Sequence, residues 1–149
     1  MKSATISEQI SASAADVFAL LHDYERRLEW DTLLKEARLT RGCERAERGA
    51  TSLCVGKPFF GAFAMETKYV TFTPPKIAAV SLINSPPLFA EFAASIRHED
   101  NEEGSLMTYK FRFSAKPKML RWLLEPLMLF ALQAETRKRL NALAEFLGD

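Results

Sequence analysis

Residues 105–117 read SLMTYKFRFSAKP, and the fold turns on this stretch. Met107, Tyr109, Phe111 and Phe113 fall on one side of an extended chain, and Thr108, Lys110, Arg112 and Ser114 on the other. Alternation with a period of two marks a strand with one buried face. Lys116-Pro117 ends it, and the apolar spacing then becomes helical as far as Leu147. Leu120, Leu123, Leu124 and Leu127 make one stripe, which Leu132, Leu140, Leu143 and Leu147 continue. Pro126 is expected to kink or restart this helix, because proline lacks the backbone donor and clashes with the preceding turn. The part beyond it is roughly 30 Å long at about 1.5 Å per residue. A nine-residue strand is about as long, so one helix matches the height of a sheet.

Working backward, residues 89–98 pair with 105–115 as a hairpin around Glu99-Asp100-Asn101-Glu102-Glu103-Gly104, a charged turn ending in glycine. Further strands are predicted at 36–40, 50–56, 63–73 and 76–84. Pro74-Pro75 and Pro86-Pro87 belong in turns, since proline cannot donate to a central ladder. Residues 2–10 alternate as a first strand. Ser13 followed by Asp16 reads as a helix start in which the hydroxyl satisfies an orphan amide. Two short helices follow, one to about Asp23 and one over 24–34. The order is strand, two short helices, six strands, long helix. That is an α+β chain: a curved antiparallel sheet of about seven strands whose apolar face only the last helix is long enough to cover. We expect one domain over 1–149.

Composition narrows the function. Twenty basic and 19 acidic residues are spread along 149 positions for a net charge of +1, without the concentrated positive field of a nucleic-acid binder. Two cysteines and two histidines form no metal-ligand pattern, and no metal or cofactor is expected. Cys43 and Cys54 read as reduced thiols, and Met1–Thr5 lacks the apolar stretch of a signal peptide, so a cytoplasmic location is expected. The most apolar stretch, 119–132, is broken by Arg121, Glu125 and Pro126 and is too short to span a bilayer. Its segment 119–130 suits peripheral contact with a membrane interface. Eleven phenylalanines must fill a core, line a cavity, or both.

The segment ISASAADVFALLHDY (10–24), with Trp30 six residues on, resembles the opening of START-related helix-grip proteins. This is the SRPBCC group, which includes polyketide cyclase/dehydrase and lipid-transport proteins. VTFTPPK (70–76), a strand running into a double proline, and the terminal amphipathic helix fit the same pattern. The resemblance implies a deep apolar cavity between sheet and helix, used in the family to carry lipids, sterols, hormones or polyketides, and in some members for cyclisation or dehydration. It implies no shared catalytic set, so none is carried over.

The expected function is therefore binding or carrying of a small hydrophobic molecule, with a cyclase/dehydrase-type enzyme as the alternative. The expected ligand contacts are Trp30, Phe59, Phe60, Phe92, Ala94, Met107, Tyr109, Phe111, Leu120, Leu123 and Leu127. Phe59 and Phe60 belong to the loop GKPFFGAF (56–63), read as a lid. Glu8, Tyr69 and Tyr109 are the candidate acid–base groups. By alternation Glu8 shares a face with Ile6 and Ile10, where a carboxylate is costly unless paired or wet. It is either turned outward or paired, or else a poised acid. Glu66 and Lys68, two apart on one strand, read as a solvated ion pair, and His22 and His98 as surface residues.

Overall fold

The computed structural model describes residues 2–31, 34–56 and 64–148. The first strand, β1, is Lys2–Ile10. Two helices follow, α1 over Ala14–Leu21 and α2 over Arg27–Trp30. Six strands come next: β2 Leu34–Thr40, β3 Thr51–Gly56, β4 Ala64–Thr73, β5 Ile77–Leu82, β6 Phe89–Asn101 and β7 Gly104–Ala115. A single 3-10 turn, Lys118–Leu120, leads into α3, Arg121–Gly148. All neighbouring strands are antiparallel, in the order β1-β7-β6-β5-β4-β3-β2. The meander runs from β2 to β7, and β1 closes onto β7 at the far edge.

Met107, Phe111 and Phe113 are fully buried, as their alternation requires. Phe92 faces Phe113, Ala94 faces Phe111, and Ile96 faces Tyr109 across the β6–β7 ladder. Helix α3 packs on β1 and β7. Leu140 and Leu143 join Ile6, Ile10, Val17, Trp30 and the β7 rings in the main core. Under α1 lies a smaller cluster of Phe18, Ala50, Tyr69 and Ala78. Ser13 Oγ accepts from Asp16 N at 3.2 Å, so the expected cap of α1 is present. Asp100 Oδ1 accepts from Ala14 N at 2.7 Å and ties that helix start to the tip of the β6–β7 hairpin. The tip demands glycine. Gly104 has φ +136, and a Cβ there would meet the backbone of Ile10 and Ala12.

Two expectations need correction. Residues 24–34 hold four helical residues, not eleven: Asp31 is extended (φ −88, ψ 90) and Leu34 already pairs with Gly56. The chain must leave the helix early to reach the edge of the sheet. Pro126 does not restart α3, which is one helix of 28 residues. It lies near the start, where the hydrogen bond it forfeits is one of the first in the ladder. In β4 the structure shows a break in strand alternation. A bulge between Tyr69 and Thr71 sets Val70 outside the register, so that Tyr69 and Phe72, three apart, both turn inward and meet edge-on at 5.2 Å.

Candidate functional site

A cavity of about 270 Å³ lies between α3, α2 and the inner face of the sheet. Its apolar wall comes from Leu21 and Trp30, from Met65 and Val80, from Phe92, Ile96 and Phe111, and from Met128 and Leu132 of α3. The void has a local cause. The strands crossing its floor carry Ser52, Cys54 and Thr67 at inward positions, which are too small to reach the helix.

At one side of the cavity stands a buried charge cluster. Asp31, 1% exposed, accepts from Arg27 Nε at 3.0 Å and from Arg139 Nε at 3.1 Å, both on Oδ2. The first bond closes the end of α2, and the second joins α2 to α3. Arg27 also donates to the Leu21 carbonyl at 3.3 Å, and its guanidinium lies over the rings of Trp30 (5.1 Å) and Tyr24 (5.6 Å). Burial works against the Asp31 charge, but Arg139 and Arg27 outweigh it and hold the carboxyl below its usual range. Burial likewise works against Arg27, and the acidic groups beside it, Cys54, Asp31 and Tyr24, raise its pKa above the usual guanidinium value. Both arginines line the cavity. Two guanidiniums share this one carboxylate, and the Glu135 carboxyl lines the same cavity. Asp31 Oδ1 and Trp30 Nε1 are buried without a hydrogen-bond partner among the described residues.

On the sheet side a chain of hydroxyls opens on the same cavity. His22 Nδ1 lies 2.7 Å from Tyr69 Oη, which lies 2.9 Å from Tyr24 Oη. Tyr24 donates to Ser52 Oγ at 3.1 Å, and Ser52 lies 3.3 Å from Thr67 Oγ1. Because the Tyr24 proton goes to Ser52, Tyr69 must donate to Tyr24 and accept from His22. His22 is thereby assigned the Nδ1–H tautomer. Burial, then Arg27 and His98, lower its pKa to about 3, so the ring is neutral near pH 7. Burial and the neighbouring Tyr24 push the Tyr69 phenol well above its usual value. Tyr109 is raised mainly by burial, and Glu135 of α3, which also lines the cavity, is raised by burial against the pull of Arg139.

Of the residues expected at the site, Trp30, Phe92, Tyr109, Phe111 and Tyr69 line the cavity. Ala94 and Met107 face inward but are buried in the core beside it. Leu120, Leu123 and Leu127 do not line it. They are exposed, in the first turns of α3 and the 3-10 turn before it. Phe59, Phe60 and the lid reading of their loop lie outside the described residues. Glu8 does face α3, where the Asn141 amide nitrogen, in the orientation that suits both groups, donates to its oxygens at 3.1 and 3.3 Å. It is paired, and it is not among the cavity residues. Glu66 pairs with Arg41 at 3.1 Å and accepts from Thr40 at 2.9 Å, so its partner is not Lys68. The histidines are the plainest error, because both are buried. His22 sits between Phe18 (4.5 Å), Tyr69 and Phe72, and His98 lies edge-on to Phe18 at 5.6 Å.

The sequence reading missed Arg27, Asp31, Arg139 and Glu135. Arg139 was within reach: with Leu132, Thr136, Leu140 and Leu143 it follows the inward spacing of α3, where a charge is out of place. Arg27 and Asp31 are four apart, as an intrahelical ion pair requires.

The family model described as polyketide cyclase / dehydrase and lipid transport matches residues 1–148. The chain belongs to this family. No curated protein sequence matches it. Among solved structures, this polyketide cyclase/dehydrase family member is similar to the protein XoxI from Bacillus cereus, at 16% identity and TM-score 0.79, covering 100% of this chain and 97% of that one. It is also similar to the Zhui aromatase/cyclase from Streptomyces sp. R1128, at 11% identity and TM-score 0.80, covering 99% and 93%. The di-domain aromatase/cyclase StfQ of the steffimycin biosynthetic pathway matches at 15% identity and TM-score 0.80, over 98% of this chain and 50% of that one. At such identities these likenesses establish the family's α+β helix-grip fold and nothing finer.

Proposed function

We propose that this member of the polyketide cyclase/dehydrase family binds a small, mostly apolar molecule with an oxygen-bearing end. The observation that carries the reading is the cavity of about 270 Å³ between α3 and the sheet, apolar over most of its wall and edged by Arg27, Arg139, Tyr24 and Tyr109. Its volume is just under the range of ordinary ligand pockets, about 300–1,000 Å³, and so suits a small guest. A guest burying about 200 Å² of apolar surface gains roughly 5 kcal/mol from that burial. The guanidiniums and phenols then set which end points inward. Native mass spectrometry of the purified protein should show a bound or readily loaded small molecule. Val80→Phe, which fills the void from β5, should abolish loading without loss of fold. A wild-type protein that neither retains nor takes up any apolar guest would end this reading.

A second reading, an enzyme acting on such a guest, is favoured by the acid–base groups that share the cavity. Here the carboxylate is Glu135 rather than Glu8. Its raised pKa brings it closer to the working pH, as a general base requires, and neutral Tyr109 or Tyr69 is a proton donor. Glu135→Gln should leave binding intact and abolish turnover of a β-keto thioester test substrate. Equal turnover by the variant would remove Glu135 from the chemistry.

A further inference from the structure

Ten large apolar side chains are exposed among the described residues, and six of them lie within twelve positions at the start of α3 and the turn before it. Met119, Trp122 and Phe130 are 80%, 75% and 76% exposed, and Leu120, Leu123 and Leu127 stand beside them. At 3.6 residues per turn, positions 119, 122, 123, 126, 127 and 130 fall on one side, a stripe about 17 Å long. The opposite side of the same turns is anchored. Glu125 is buried and accepts from Ala115 N at 3.0 Å, which holds the apolar stripe outward.

The exposed charges of the helix segment that carries this stripe have one sign. Lys118 precedes it, and Arg137, exposed, follows Phe130 by two turns on the same side. Between Lys116 and Asn141 the acidic residues are Glu125, which is buried, and Glu135, which lines the cavity. The stripe also borders the cavity. Met128, Ala131 and Leu132 line it, Ala131 is exposed, and Leu127 and Phe130 are their immediate neighbours on the helix. No described helix is long and apolar enough to cross a membrane.

We propose that this face of α3 docks on the surface of an anionic phospholipid bilayer, with Trp122, Leu127 and Phe130 entering the headgroup layer and Lys118 and Arg137 meeting lipid phosphates. An aromatic and aliphatic stripe with a basic border is the form of an interfacial helix, and an anionic leaflet supplies the negative charge the border lacks. The same face of a second copy supplies none from this segment. A two-fold interface through this face would set basic borders against each other, with no exposed acid between Lys116 and Asn141 to pair them. Docking also brings the cavity edge at Ala131 to the lipid surface, where an apolar guest could pass without crossing water. The docking itself holds whether or not the cavity is loaded.

The test is co-sedimentation of the full chain with vesicles of phosphatidylcholine alone and with about 30% phosphatidylserine, at about 0.05 M and about 0.5 M salt. Binding is expected to the anionic vesicles at low salt and to fall at high salt. A blue shift of Trp122 emission should accompany it, since Trp30 is already buried. The double variant Trp122→Ser/Phe130→Ser and the double variant Lys118→Glu/Arg137→Glu should each reduce binding at least about tenfold, with unchanged circular dichroism. Equal binding to neutral vesicles would overturn the proposal. So would an absent wild-type blue shift, or a stable dimer that the first variant dissociates and that ignores vesicles.

Discussion

Lowering the pH should destabilise this protein well before its carboxylates are titrated, because two neutral histidines are buried in it. His98 is 4% exposed, neither ring nitrogen has a hydrogen-bond partner among the described residues, and burial lowers its pKa from 6.5 to about 4. His22 goes down to about 3. The unfolded chain takes up a proton on each ring below pH 6.5, while the folded chain does not until about 4 and about 3. Between those values the unfolded state binds more protons, so stability is full above 6.5 and falls as the pH falls. At pH 5 the window covers about 1.5 units, at about 1.36 kcal/mol per unit. Each histidine therefore removes about 2 kcal/mol and the pair about 4, a large share of a domain stability of about 5–15 kcal/mol. Asp31, whose carboxyl is held below 3.8, loses its contribution only at lower pH. Glu135, raised above 4.5, acts with the opposite sign and offsets part of the loss. Urea unfolding followed by circular dichroism at pH 8, 7, 6 and 5 at constant ionic strength measures the effect. His98→Leu should be neutral or stabilising at pH 8, since it removes two unpaired polar atoms, and should cut the pH dependence by about half. A wild-type stability constant within about 0.5 kcal/mol from pH 8 to 5, or a folded His98→Leu variant with the full slope, would refute the reasoning.

Asp31→Asn takes away the carboxylate that two buried guanidiniums share, and should cost about 3–5 kcal/mol in urea unfolding; a loss under about 1 kcal/mol would mean that the cluster is solvated. Gly104→Ala forces a side chain into a positive-φ position against the Ile10 backbone, and is expected to lower stability by at least about 2 kcal/mol, read as a drop in Tm. In Tyr69→Phe the acceptor of the His22 Nδ1 proton disappears. A downfield imidazole proton signal present in the wild type should vanish, with a loss of about 1–3 kcal/mol; its persistence would reverse the tautomer assignment.

Much of the fold could be read one residue at a time. The alternation through Tyr109, Phe111 and Phe113, the prolines between strands, the Ser13 cap and the helical leucines to Leu147 each state a local geometry, and the structure has all of them. Part of the cavity wall was legible for the same reason: Phe92, Tyr109 and Phe111 are inward by periodicity alone. The errors share a different cause. Leu120, Leu123 and Leu127 have core-like spacing, but spacing says which residues share a face and not whether anything lies opposite. Phe72 turns inward because of one extra residue in β4, and nothing in the alternation announces that bulge.

The sequence by itself therefore determined the elements, their order and the seven-stranded sheet with its long terminal helix, because backbone geometry is set by neighbours in the chain. Only the tertiary structure decided the chemistry of the interior. Asp31 meets Arg139 across 108 positions, and His22 meets Tyr69 across 47. Whether a polar side chain is solvated, paired or stranded in an apolar wall depends on which layer is packed against it, and that is fixed by docking of distant elements rather than by any local period.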